Sequence, residues 1–280
     1  MPAVVAVHGI GQQLKGAHTL HDDWYPAMRD GLERARVTSF AADELACAFY
    51  GDVFRPPGSK ALREPAYGPN DVDAAFELPL LLAWWQEAAR QEPEVAGPGD
   101  AVKARTPLVA QRALRALATS RFFGGLSDRA MIGDLKQVTA YMTAGRVREV
   151  VQQRVAAAVA PDTRVLVGHS LGSVVAYEVL ASGACPDVAT LVTLGSPLGI
   201  PNLVFHRLTP PPQERGAWPG NVRSWVNVAD RGDVVALAKS LAPMFSGAVE
   251  DRLVHNGATA HDARPYLTAE ETGQAIASSL

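Results

Sequence analysis

Serine attacks a carbonyl only when a base removes its proton, so its chemistry depends on its surroundings. The pentapeptide Gly168-His169-Ser170-Leu171-Gly172 follows the apolar run Val165-Leu166-Val167 and leads into a helical pattern over 173–180. Strand, then G-x-S-x-G, then helix is the order of a nucleophile elbow, where the serine hydroxyl is pushed out on a tight turn. Strand and helix come so close there that the flanking positions tolerate almost no side chain, which accounts for Gly168 and Gly172. The serine also lies at a helix N-terminus, whose free N–H groups favour developing negative charge.

A serine nucleophile needs a histidine base, and the base needs a carboxylate that fixes its tautomer. Seven histidines are present. His8 and His169 belong to motif loops, His18 and His21 precede the first helix, and His206 lies in a Pro-rich stretch. His255 continues a strand pattern, whereas His261 follows the flexible run 256–260 and is the preferred base. The stretch Trp225-Val226-Asn227-Val228-Ala229-Asp230-Arg231-Gly232-Asp233 offers two carboxylates. Asp230 is nearer the strand end. Asp233 sits further along the loop, where a carboxylate could also be only the cap of a helix over 234–242. An oxyanion hole takes one amide from Leu171 and a second from His8-Gly9-Ile10-Gly11, with Ile10 before Gly11. That glycine loop matches no phosphate-binding pattern.

These residues need elements to hold them. Val-rich residues 3–7 read as a strand buried on both faces. A helix follows Asp22 and Asp23 through Trp24, Met28, Leu32 and Ala35, then a strand from Leu45 to Val53. A long helix is expected over 131–159, strands at 164–167, 188–194, 223–228 and 251–255, and helices at 171–182, 234–242 and after His261. Strands alternating with helices predict a mostly parallel sheet covered on both faces, with ligands at the carboxyl ends of its strands. Residues 55–130 interrupt that alternation with Pro and Gly clusters and two amphipathic helices, near 74–91 and 107–122. They read as an inserted helical cap on a core of 1–54 and 131–280. Its stripe of Leu81, Leu82, Trp84 and Trp85 is expected to add apolar surface to an acyl pocket.

Bulk properties narrow the function. A length of 280 residues suits one large α/β domain with an insertion. The net charge of −3 gives no support for nucleic acid as a partner. No apolar run reaches membrane-spanning length, and the start Met1-Pro2-Ala3-Val4 lacks a basic leader pattern, so a cytoplasmic location is expected. Cys47 and Cys185 have no metal-ligand or C-x-x-C spacing and are expected to be free thiols.

The chain resembles the α/β-hydrolase superfamily through Val7-His8-Gly9-Ile10-Gly11, Gly168-His169-Ser170-Leu171-Gly172, Thr193-Leu194-Gly195-Ser196-Pro197, Asp233-Val234-Val235 and His261-Asp262. G-H-S-L-G with T-L-G-S-P-L is similar to its lipase-like and GPI-inositol-deacylase-like branches. The resemblance covers about residues 3–54 and 131–275, and the cap lies outside it. It implies an α/β-hydrolase fold and a Ser170–His261–Asp233 triad, the acid of D-x-V mapping to Asp233 rather than Asp230. It also implies hydrolysis of a carboxylic ester, of a lipid or an acylated small molecule, with no cofactor and no metal. Acyl transfer, thioester cleavage, peptidase activity and a silent ligand-binding relative are the alternatives. With the first strand at residue 3, two strands of the family's usual sheet have no room, so a sheet reduced at that edge is expected.

Overall fold

The computed structural model describes residues 1–55, 66–99, 105–123 and 126–280. The predicted break at Pro56-Pro57-Gly58 and parts of segment 55–130 lie outside the described residues. The fold is α/β, built on one six-stranded, all-parallel sheet. Its strands are β1 (Val4–Val7), β2 (Leu45–Ala48), β3 (Val165–His169), β4 (Thr190–Leu194), β5 (Ser224–Asp230) and β6 (Val249–Val254), in the order β2-β1-β3-β4-β5-β6. Val, Leu and Thr make up most of β1, β3 and β4, and every residue of those three strands is buried. Such near-continuous apolar runs suit strands covered on both faces.

Eight α-helices are present among the described residues: α1 (Ala17–Arg34), α2 (Glu77–Gln91), α3 (Thr106–Ala118), α4 (Asp128–Thr143), α5 (Gly145–Ala158), α6 (Leu171–Ala181), α7 (Ala263–Thr268) and α8 (Glu270–Ala277). The period-2 alternation of the strands divides the core. Val4, Ala6, Val165, Val167, Val192 and Val226 pack with α1, α7 and α8. Val5, Val7, Leu166, Leu191 and Trp225 face the other way, onto a core that runs through α2 to α6. Helices α2 and α3 contact each other and α4, and Leu81, Trp84, Trp85, Leu114 and Leu117 are continuous with that second core. No helix among the described residues is long and apolar enough to cross a membrane.

The differences from the sequence reading have local causes. Helix α1 starts at Ala17, so Asp22 and Asp23 lie inside it rather than before it. Strand β2 stops at Ala48 rather than Val53, because Tyr50 turns inward to bond His8. The 131–159 helix is two helices, since Ala144 adopts extended backbone and α5 is redirected onto α6. Over 234–242 there is no helix. Side-chain carboxylates hold its amides instead: Asp233 accepts from Val235 and Ala236, and Asp251 from Leu241 and Ala242.

Candidate active site

Ser170 follows β3 and caps α6 with φ 52° and ψ −129°, a left-handed backbone that an L-residue adopts at a cost. The flanking glycines are sterically required. A Cβ on Gly168 would lie 2.6 Å from the Gly172 carbonyl oxygen, and one on Gly172 would lie 2.2 Å from that of Val7. The amide of Ser170 donates to Leu194 O at 2.9 Å, which ties the turn to β4.

Residues up to 91 positions apart in sequence meet here after the ends of three strands, β3, β5 and β6. Ser170 Oγ is 2.8 Å from His261 Nε2. His261 Nδ1 is 2.8 Å from Asp233 Oδ2. With Nδ1–H donating to the carboxylate, Nε2 is left to accept the serine proton. Asp233 is fully buried, which pushes its carboxyl up. The His261 ring and its hydrogen bond, Lys239 and the Val235 amide outweigh that and leave it below the ordinary carboxylate value. The group is therefore held as an anion.

Asp230 and His255, the alternatives open in the sequence, do other things. Asp230 accepts from the amides of Gly232 and Asn256 and so joins the ends of β5 and β6. His255 is exposed. Of the oxyanion candidates, Leu171 is the first residue of α6. Gly9 brings the loop after β1 against the nucleophile, where an added Cβ would sit 2.6 Å from Ser170 Cβ. Ile10 lines the cavities beside Ser170, whereas the Gly11 amide is taken by Gln137 Oε1 at 3.2 Å. Of the two, Ile10 is the one beside Ser170.

Three further residues support the site, and of these only Tyr266 lies outside the motif loops. Tyr266, from α7, donates its hydroxyl to Asp233 Oδ2 at 2.9 Å and accepts from the Asp230 amide at 2.8 Å. His169 Nε2–H donates to the His261 carbonyl at 2.7 Å and steadies the base's loop. Burial first, and then the neighbouring His261, hold His169 neutral with a pKa lowered to about 3. His8 is likewise lowered to about 4 by burial. Its Nδ1–H donates to Gly9 O and its Nε2 accepts from the Tyr50 amide. A period-3.6 position for Tyr266 in the C-terminal helical pattern was the only available signal, and it is equally a core signal.

Two cavities flank Ser170. The larger, about 310 Å³, has Ser170, His169 and His261 in its wall, an aromatic side of Trp24, Trp84, Phe122 and Phe123, and a rim that includes Lys15 and Arg264. The Phe122 and His261 rings lie 5.7 Å apart. The smaller, about 10 Å³, is closed by apolar side chains. Of the four stripe residues, Trp84 lines both cavities. Leu81 is sealed in the core, Leu82 packs against its margin, and the Trp85 N–H donates to Ala96 O at 2.6 Å beside a separate surface groove. Leu80, absent from the expected set, faces the small cavity.

Comparison with known proteins gives no match to any family model, to any curated protein or to any solved structure.

Proposed function

We propose that this protein is a serine hydrolase of the α/β-hydrolase type that cleaves a carboxylic ester through an acyl-enzyme. The observation that carries this reading is the continuous chain Ser170 Oγ–His261 Nε2 and His261 Nδ1–Asp233 Oδ2, each link 2.8 Å, on a strained strand-to-helix turn. A buried structural serine has no need of a histidine aligned in turn by a buried carboxylate, nor of strained backbone at its own position.

In this reading Ser170 Oγ attacks the ester carbonyl while His261 Nε2 takes its proton. The oxyanion forms against the amide of Leu171, at the N-terminus of α6, and that of Ile10, in the loop after β1. The imidazolium, paired with Asp233, then protonates the departing alcohol, and the acyl group stays on Ser170. Water, deprotonated by His261, repeats the sequence and releases the acid. Helices α2 and α3 act as a cap whose Trp84 excludes water from this chemistry.

The test is labelling by a fluorophosphonate together with hydrolysis of p-nitrophenyl esters. Wild type is expected to label and turn over, and Ser170→Ala to do neither while keeping its fold. Labelling or wild-type turnover by Ser170→Ala would remove the assignment.

A further inference from the structure

Resting on the hydrolase reading, we infer that this enzyme is selective for esters of a very short acyl group, acetyl above all, on a bulky leaving group. The inference starts from which wall each cavity shares with the triad. An ester bound at Ser170 has two arms. Its alkoxy oxygen must receive a proton from His261 Nε2, so it has to come within hydrogen-bond reach of that ring. His261 stands in the wall of the 310 Å³ cavity, so the leaving group lies there. The acyl arm points away from the alkoxy arm, into the small cavity, which Ser170 and Leu171 line and His261 does not.

That small cavity is about 10 Å³, close to the least space that holds one water molecule. It accepts a methyl group and little more. Its wall includes Leu80 of α2, Val138 of α4, and Ile200 and Val204 of the loop after β4. All four are buried in a close-packed core, so a longer chain must displace them rather than water. The leaving-group side is built differently. It is some thirty times larger, lined by Phe122, Phe123, Trp24 and Trp84, and edged by the pairs Lys15–Asp23 and Arg264–Asp262. An aromatic or other flat, amphipathic alcohol fits both its rings and its rim.

The experiment uses the full chain, with active sites counted by fluorophosphonate labelling so that each rate refers to folded enzyme. Acetyl, butyryl and hexanoyl esters of one phenol vary the acyl arm, and ethyl and benzyl acetate vary the other. In the wild type, kcat/KM should fall about tenfold or more from acetyl to butyryl, the cost expected when a packed core is overfilled. Benzyl acetate should exceed ethyl acetate. Val204→Ala and, independently, Leu80→Ala should raise the butyryl-to-acetyl ratio at least about fivefold by opening the cavity, and Phe122→Ala should lower the benzyl-to-ethyl ratio. A wild-type preference for butyryl or hexanoyl overturns the inference, as do ratios unmoved in both cavity variants or labelling without turnover of any acetyl ester. In those cases labelling still upholds Ser170 as the nucleophile. Absence of both labelling and turnover removes the hydrolase reading and this inference with it.

Discussion

Tyr266→Phe tests the arrangement behind the triad. It removes one hydroxyl and keeps the ring, which is fully buried against α1 and the sheet. Two bonds go with it: the donor to Asp233 Oδ2 at 2.9 Å and the acceptor of the Asp230 amide at 2.8 Å. A buried N–H left unsatisfied costs about 1–3 kcal/mol, and a hydrogen bond to a charged group contributes about 1.5–3 kcal/mol. One shared hydroxyl does not yield the full sum, so a loss of about 3 kcal/mol is expected. At about 2–4 °C per kcal/mol, the melting temperature should drop by roughly 6–12 °C. Catalysis should suffer less. Asp233 keeps His261 Nδ1 and the amides of Val235 and Ala236. A fall in kcat of about tenfold is expected, well short of the roughly 10⁴-fold that follows loss of the carboxylate's charge. Thermal melts and ester hydrolysis on the same preparations read both. An unchanged melting temperature would refute the bonding described here. A kcat loss equal to that of Asp233→Asn would refute the view that Tyr266 acts only through the carboxylate.

Three further outcomes follow from the same geometry. Asp233→Asn should lower kcat by about 10⁴, whereas Asp230→Asn should leave kcat within about tenfold and lower stability, since it holds the Gly232 and Asn256 amides; steady-state kinetics beside urea unfolding distinguishes them, and reversed magnitudes would move the acid to Asp230. His8 and His169 are held neutral in the fold, at about 4 and about 3, against about 6.5 when unfolded, so the stability they contribute is present above pH 6.5 and is lost as pH falls toward those folded values. From pH 7 to pH 5 the two should cost about 4 kcal/mol, about half from each, read by urea titration at each pH; half that loss would mean that one of them is charged in the fold, and a flat profile that neither is held neutral. Ser170→Gly should be more stable than Ser170→Ala by about 1 kcal/mol, because glycine adopts φ 52° without strain; an alanine variant as stable as the glycine one would mean that the elbow stores no strain.

Some of this protein is written in local sequence. The G-x-S-x-G run predicts the turn at Ser170 because its constraint is local: a backbone of positive φ squeezed between β3 and α6 admits only glycine on either side. The Val-rich runs are equally legible, since burial on both faces leaves Val4–Val7 and 165–167 without a polar position. Asp233 and His261 could be narrowed to two candidates each by their order and their distance past a strand.

The rest depended on long-range bonding. Residues 234–242 have an apolar helical pattern, yet they form turns because Asp233 and Asp251 capture the amides that a helix would pair internally. Tyr50 leaves the strand pattern to bond His8, 42 residues away. Tyr266 looks like one more core aromatic until α7 brings its hydroxyl to Asp233. The stripe on α2 announces an apolar face, but which residue of it reaches Ser170 depends on the rotation of the helix as it packs on α4. That rotation exposes Trp84 and Leu80 to the cavities and seals Leu81 in the core. A chain's own spacing specifies backbone that is strained or capped by its neighbours. Which of several equivalent side chains meets a distant partner is decided when elements pack, because only then are their faces oriented and their polar groups given partners.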